Sequence, residues 1–298
     1  MKSRLTLLLT LPLFQTKIHF LEEFDDESWR DRWIQSQFPK NYGTWNLSSG
    51  VYHDDAARDQ GIKTMTNSSF YTISATFPRF SNRKTSLIVQ FTVKHEQELD
   101  CGGGYIKIMP STIDQHQFND KTPYHVMFGP DICNSRKDLQ VIINQHGRQY
   151  PLKEILRCAW DDLTHLYTLI LNPNGTYEVR TDWLRMGTGY VEEDFDLDWD
   201  WHEHKHQSLF KDIGAVGIDI WQVKSGSIFD NILITDDLEE ARQHAKKTFE
   251  PLRRAERTQR DEAFKKFRTE RHEEIRQQGG EVKRRGWAQK AKRHGEEL

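Results

Sequence analysis

Between residues 71 and 234 short runs alternate apolar and polar residues with a period of two, the pattern of strands with one buried face. Tyr71 to Phe77, Leu87 to Val93, Val141 to Asn144, Thr168 to Leu171 and Tyr177 to Arg180 read this way, as do Gly217 to Val223 and Phe229 to Ile234. Pro173-Asn174-Gly175 supplies a hairpin turn between two of them. Upstream, Phe20, Phe24, Trp29 and Trp33 offer core anchors in an acidic, aromatic segment. Many short strands with such punctuation predict an all-β, two-sheet sandwich. From Asp237 the period becomes helical: Leu238, Ala241, Ala245, Phe249 and Leu252 fall on one face, with a kink or break expected at Pro251. A second charged helical stretch runs from Arg253 to Gln278, with Phe264, Phe267 and Ile275 as its apolar residues. Pairs such as Glu262–Lys266 support it, and Gly279-Gly280 should end it.

The stretch from Lys94 to Cys133 organises the rest. Gly102, Gly103 and Gly104 interrupt the alternation, as glycines do where a ligand or another chain approaches the backbone closely. A short strand then puts Tyr105 and Lys107 on one face and Ile106 and Ile108 on the other. A further strand places Tyr124, Val126 and Phe128 on one side against His125 and Met127, and runs through Gly129-Pro130-Asp131 to Cys133.

Length allows one large all-β domain or two smaller ones. A formal net charge of −3 hides a division: from Ala241 onward there are 18 Lys/Arg against 10 Asp/Glu, leaving 24 against 35 before it. The body is acidic and the tail basic. Residues 1–16 carry Lys2 and Arg4 and then an apolar run from Leu5 to Phe14, too short to span a bilayer and laid out as a secretory signal peptide. No other stretch reads as a membrane span. Of the three cysteines, at least one must be unpaired; Cys158 reads as a free, partly buried thiol. Asn46, Asn67 and Asn174 begin N-linked glycosylation sequons, the last of them in a turn.

The motifs Lys94-His95-Glu96-Gln97, Asp100-Cys101-Gly102-Gly103-Gly104-Tyr105-Ile106-Lys107, Tyr124-x-x-Met127-Phe128-Gly129-Pro130-Asp131-Ile132-Cys133 and Thr164-His165-Leu166-Tyr167-Thr168-Leu169 occur in the order found in the calreticulin family. The chain resembles that family of luminal lectin chaperones over most of residues 18 to 237. The resemblance implies a concanavalin/legume-lectin-like jelly-roll sandwich over residues 17–237; the basic helical tail over 238–298 is read from its charge and period instead. It implies a Cys101–Cys133 disulfide, closing a loop worth about 3–4 kcal/mol in the chain-entropy model. It also implies a site for the monoglucosylated high-mannose glycans of folding glycoproteins at Tyr105, Lys107, Tyr124, Met127, Asp131, Asp219 and Trp221. Flat aromatic faces for a pyranose ring and planar polar groups for its hydroxyls are what such a ligand needs, although sandwich packing alone would account for the aromatic residues. One structural Ca2+ is implied at the Asp230 carboxylate and the main-chain carbonyls of Glu23, Arg58 and Gln60, a hard-cation oxygen set; the alternative is that Asp230 caps a strand end.

Two family features are missing. The long proline-rich arm that recruits an oxidoreductase should leave near residues 195–212, yet the chain passes from Asp196 to Ile213 in under twenty residues. Oxidoreductase recruitment is therefore not expected, whether the arm is lost by splicing or natively. The polyacidic tail is replaced by a basic one, which repels divalent cations and excludes high-capacity calcium storage. The terminal Glu296-Glu297-Leu298 preserves only part of a Lys-Asp-Glu-Leu retrieval signal, so endoplasmic reticulum residence with partial secretion is expected.

Other chemistries fit less well. A basic helix can bind nucleic acid, but here a solvated helix is the simpler account and no nucleic acid is expected. His202, His204 and His206 alternate and could hold zinc or copper in an extended segment. Asp194, Asp196, Asp198 and Asp200 imitate the alternate carboxylates of sandwich-fold glycoside hydrolases, but they fall where the sandwich pattern stops, so no enzyme is expected. Two functions remain in competition: a calcium-binding lectin chaperone, and a glycan-independent, client-specific chaperone of unfolded polypeptide whose sugar site is vestigial.

Overall fold

The computed structural model describes residues 18–38, 42–145, 147–196 and 209–295, with side chains up to 277. The segment 1–16, Asp198, Asp200, His202, His204, His206 and the final Glu296-Glu297-Leu298 lie outside the described residues. In chain order the first strands are β1 (Ile18–Glu22), β2 (Ile34–Gln35), β3 (Trp45–Ser48), β4 (Gly61–Thr64), β5 (Ser69–Phe80), β6 (Leu87–His95), β7 (Cys101–Gly103) and β8 (Ile106–Met109). There follow β9 (Val126–Cys133), β10 (Arg136–Gln145), β11 (Arg148–Pro151), β12 (His165–Leu171), β13 (Thr176–Thr181), β14 (Leu184–Tyr190), β15 (Ile213–Gln222) and β16 (Ser227–Thr235). The helices are α1 (Trp29–Arg32), α2 (Val191–Asp194), α3 (Leu238–Lys247) and α4 (Phe249–Gly295).

The strands form two antiparallel eight-stranded sheets. One runs β14-β13-β12-β6-β16-β4-β3, with β1 on β16; the other runs β11-β10-β9-β7-β15-β5-β2, with β8 joined to β9 and β15. Their inner faces enclose the core: Phe91, Tyr167, Leu169 and Val179 from the first sheet meet Ile106, Val126, Phe128 and Ile218 from the second. Each such side chain contributes about 1.5–3 kcal/mol by leaving water. Phe24, Trp29 and Trp33 are buried as anchors.

Local alternation and tertiary cover together explain the burial pattern. On β13, Tyr177 and Val179 point inward, while Glu178 and Arg180 pair outside at 2.7 Å. On β6 and β16 every residue is buried, because α3 and α4 lie on the outer face of that sheet. Ile88, Ile170 and Leu233 pack there against Ala241, and Leu166 against Ala245 and Phe249. The Gln90 amide donates to the Ala241 carbonyl at 3.0 Å. The Pro173–Gly175 turn forms as expected, with the Gly175 N–H donating to the Asn172 carbonyl and φ at +83°.

Four local expectations are corrected. The helical tail breaks at Thr248, and Pro251 sits in the first turn of α4, where its missing N–H costs nothing. The α4 helix continues through Gly279-Gly280 to Gly295; two glycines cost only about 2 kcal/mol in a helix interior. On α4, Lys266 pairs with Glu270 at 4.0 Å rather than with Glu262. Gly102, Gly103 and Gly104 are approached closely by their own chain: a Cβ there would fall 2.9 Å from Gln222, 2.6 Å from Tyr105 and 2.9 Å from His95, respectively.

Candidate functional site

On the outer face of the second sheet, β8 lies between β9 and β15, with Lys107 opposite Met127 on one side and Gly217 on the other. Asp219 lies two residues along β15 from Gly217, on the same face, opposite Thr72 of β5. Lys107 Nζ therefore reaches diagonally to Asp219 Oδ2, at 2.6 Å. The other carboxylate oxygen, Oδ1, accepts from the Thr72 hydroxyl at 3.1 Å. Two aromatic rings flank the ammonium, with centroids 5.2 Å (Tyr124) and 5.9 Å (Phe118) from Nζ. Phe118 fits only because Gly217 lacks a side chain; a Cβ there would sit 2.5 Å from its ring. The pair is sheltered, with Lys107 4% and Asp219 7% exposed. A buried charge pair with an extra hydrogen bond and aromatic walls is rigid and strongly polar in a low-dielectric setting.

The remaining expected glycan residues surround it. Tyr105 is half-buried, and its phenol is pushed to a higher pKa by burial and by the Asp219 and Asp131 carboxylates, so it stays a hydrogen-bond donor. Asp131 pairs with Arg136 at 2.9 Å, although burial still raises its pKa. Met127 packs with Tyr124 in a small apolar cluster that includes Phe118 and Ile142. Tyr124 itself departs from expectation. Strand β9 begins only at Val126, so Tyr124 turns to the outer cluster instead of sharing the inner face of Val126 and Phe128. Trp221 lies farther along β15, 38% exposed, and packs in a tilted arrangement, centroids 4.7 Å apart, with Phe70, which is 52% exposed. Thr72, Phe118, Ile142 and Phe70 were not singled out in the sequence. Period two would have placed Phe70 and Thr72 on one face of β5, but not opposite Trp221 and Asp219.

A second polar centre gathers residues expected to hold a cation. Asp230 is 6% exposed; its Oδ2 accepts from the Asn231 amide at 2.5 Å, and its Oδ1 has no hydrogen-bond partner. Burial raises its pKa well above the usual carboxylate range, and the nearby carboxylates of Glu23, Asp59 and Glu22 add to the rise. A Cβ on Gly61 would fall 2.9 Å from Asp230 Cβ, which places the backbone beside Gln60 against this carboxylate. Asp59 shapes the preceding turn, accepting the N–H groups of Asp54 and Asp55 at 2.8 and 2.7 Å and the Arg58 guanidinium at 3.0 Å. Its role was not visible in the sequence. Glu23 is held by His244 of α3 at 3.2 Å. Among the described residues no cluster of three or more His, Cys, Asp or Glu side chains is placed to hold a metal. A cation here would thus need main-chain oxygens beside Asp230. An orphaned carboxylate oxygen amid other carboxylates fits such a hard cation.

Cys101 and Cys133 lie opposite each other on β7 and β9 and form a disulfide of S–S length 2.01 Å. Cys158 is a free, buried thiol, its pKa pushed up to about 12 chiefly by burial. Asn46, Asn67 and Asn174 are all exposed. The Asp194 carboxylate accepts the Tyr190 N–H at 3.0 Å beside edge strand β14, a local turn contact away from any central strand.

The Calreticulin family model matches residues 20–199. A calreticulin of Caenorhabditis briggsae is 35% identical over 357 aligned positions, covering 88% of this chain and 90% of the relative. Human calreticulin-3 is 36% identical, with 87% and 89% covered. The solved structure of the Trypanosoma cruzi calreticulin globular domain superposes with a TM-score of 0.74 at 34% identity, covering 81% of this chain and 97% of that one. No described helix is long and apolar enough to cross a membrane. With the sandwich, the disulfide and these matches in agreement, the chain belongs to the calreticulin family of lectin chaperones.

Proposed function

We propose that this protein is a calcium-binding lectin chaperone of the endoplasmic reticulum that binds monoglucosylated N-glycans on folding glycoproteins without transforming them. The sheltered Lys107–Asp219 pair, flanked by aromatic rings on the outer sheet face, carries this proposal. Lys107 offers N–H donors and Asp219 an acceptor to adjacent sugar hydroxyls, while Tyr105, Met127, Asp131 and Trp221 supply ring contact and further hydrogen bonds. Asp230, with the carbonyls of Glu23, Arg58 and Gln60, would hold one Ca2+ that ties β1, the turn before β4 and β16 together. The test is calorimetric titration of the calcium-loaded protein with a monoglucosylated mannose oligosaccharide. Heat that is lost in Asp219→Ala supports the proposal; no heat from folded wild type refutes it.

A second function, glycan-independent binding of unfolded polypeptide, is favoured by one observation. Lys107 and Asp219 are sheltered, whereas Phe70 and Trp221 form an exposed aromatic pair. Retained client holding in Asp219→Ala, with loss in Phe70→Ser/Trp221→Ser, would select it. The alignment to the Caenorhabditis briggsae relative is longer than this 298-residue chain, which supports loss of the proline-rich arm. A lectin without that arm holds clients but does not present them to an oxidoreductase.

A further inference from the structure

The helical tail grips each of the three segments that would surround a cation at Asp230. On α3, His244 Nε2 lies 3.2 Å from Glu23 Oε1, one residue past the end of β1. On α4, the Gln259 side chain brackets the main chain of His53. Its Oε1 accepts the His53 N–H at 3.2 Å, and its Nε2 donates to the His53 carbonyl at 2.6 Å. Glu256 reaches the preceding residue through Lys94, whose Nζ lies 2.9 Å from Glu256 and donates to the Tyr52 carbonyl at 2.8 Å. The third segment, β16, leads directly into α3: Asp237 caps that helix by accepting the Glu239 N–H at 2.7 Å, and Leu233 packs against Ala241.

Residues 53 to 60 form one compact turn between the α4 contact and Asp230. Asp59 accepts the N–H groups of Asp54 and Asp55 and donates its own to the Asp55 carbonyl at 2.8 Å. The Gln60 amide donates to the Ala56 carbonyl at 3.3 Å. A hold on His53 is therefore passed on to the carbonyls of Arg58 and Gln60. A cleft lined by Asp54 on one side and by Pro251, Arg254 and Ala255 on the other separates the rest of the turn from α4. The grip is thus concentrated at Tyr52 and His53.

A main-chain carbonyl brings no side-chain chemistry to a cation; what matters is where the backbone holds it. Groups behind the ligands that fix such positions typically change metal affinity by about 10- to 100-fold.

We propose that His244 and Gln259 are positioning residues for the calcium site, and that cation binding and docking of the helical tail are coupled. The proposal rests on the Asp230 calcium reading. Ca2+ needs the Glu23, Arg58 and Gln60 carbonyls together, and the docked tail already holds their segments. By linkage each event strengthens the other by the same factor.

The experiment combines calorimetric titration of the folded full chain with calcium and amide hydrogen exchange of α4 with and without the ion. Gln259→Ala and His244→Leu should each weaken calcium binding about tenfold. Leu139→Ala, a core substitution in the other sheet, should leave the affinity unchanged. In the wild type, calcium should slow exchange between Arg253 and Arg260 about tenfold; in Asp230→Ala it should not. Wild-type affinity in both tail variants overturns the coupling, as does α4 exchange in the wild type that calcium leaves unchanged. The exchange measurement needs no tail variant, so a variant that fails to fold does not shield the proposal. A wild type that binds no calcium, or binding that survives Asp230→Ala, defeats the calcium site itself and the coupling with it.

Discussion

Glu256 of α4 is fully buried, and its carboxylate lies 2.9 Å from Lys94 Nζ of β6. The same carboxylate accepts the Thr164 N–H at 2.9 Å and the Thr164 hydroxyl at 2.7 Å. The tail helix is thereby bolted to the sandwich through a charge pair and two hydrogen bonds, and α4 runs outward only after this turn.

Glu256→Ala should accordingly destabilise the fold by about 2–4 kcal/mol, because it leaves the Thr164 N–H without its acceptor and the buried Lys94 ammonium with only the more distant Glu96 carboxylate, at 3.5 Å, as charge partner. The loss stays below the top of the range for such pairs because Lys94 also donates to the Tyr52 carbonyl at 2.8 Å. Denaturant unfolding measures the loss. A change under 0.5 kcal/mol (roughly the surface-substitution range) would show that α4 is not part of the cooperative unit.

Calcium should raise the unfolding temperature of the wild type, since a ligand bound only to the native state adds about 2.7 kcal/mol at a hundredfold excess over its Kd. Asp230→Ala should abolish that rise while keeping the fold. A rise of equal size in the variant would place the ion elsewhere.

His95 makes stability fall in acid. Burial, assisted by the positive charge of nearby His165, lowers its pKa to about 4, while in the unfolded chain it returns to about 6.5. Between those values the unfolded chain binds a proton that the folded chain refuses, so stability rises with pH across this window and is lost on descending through it. The loss amounts to about 3 kcal/mol between pH 7.5 and pH 4. His165 works in the opposite sense: burial opposes its charge, but hydrogen bonds to Asp161 and Asp182 outweigh this and raise its pKa. Its contribution is present below the unfolded pKa and fades as pH rises through the folded one. His95→Leu should thus flatten the acid limb of a stability–pH curve, whereas an unchanged limb would contradict the assignment.

Cys158 should be silent toward thiol reagents. In the absence of reductant the native protein should show no reactive thiol, and the denatured protein one. Reducing Cys101–Cys133 should cost about 3–4 kcal/mol. Rapid native labelling of Cys158 would mean that its cover opens readily.

Much of the molecule was legible locally. The strand alternation, the Pro173–Gly175 hairpin and the change to helical period at Asp237 are short-range patterns, and backbone geometry ties them to structure within a few residues. Motif order supplied the family, the jelly-roll form of the sandwich and the pairing of Cys101 with Cys133. What the sequence by itself determined, then, was the central strands, the helical tail and most of the residue types around Lys107 and Asp219.

Tertiary structure decided how those elements meet. Tyr124 left the expected face because β9 starts two residues later. Thr72 and Phe118 entered the site through cross-strand register and the empty space at Gly217, neither of which leaves a mark in local sequence. Nothing in the local sequence marks Asp59 or Glu256. One became the centre of a turn beside Asp230 and the other a buried bolt, because burial and partner choice depend on residues far away in the chain. The physical reason is the range of the forces: periodicity and turn chemistry act over a few neighbours, whereas desolvation and charge pairing are fixed only when distant segments close over them.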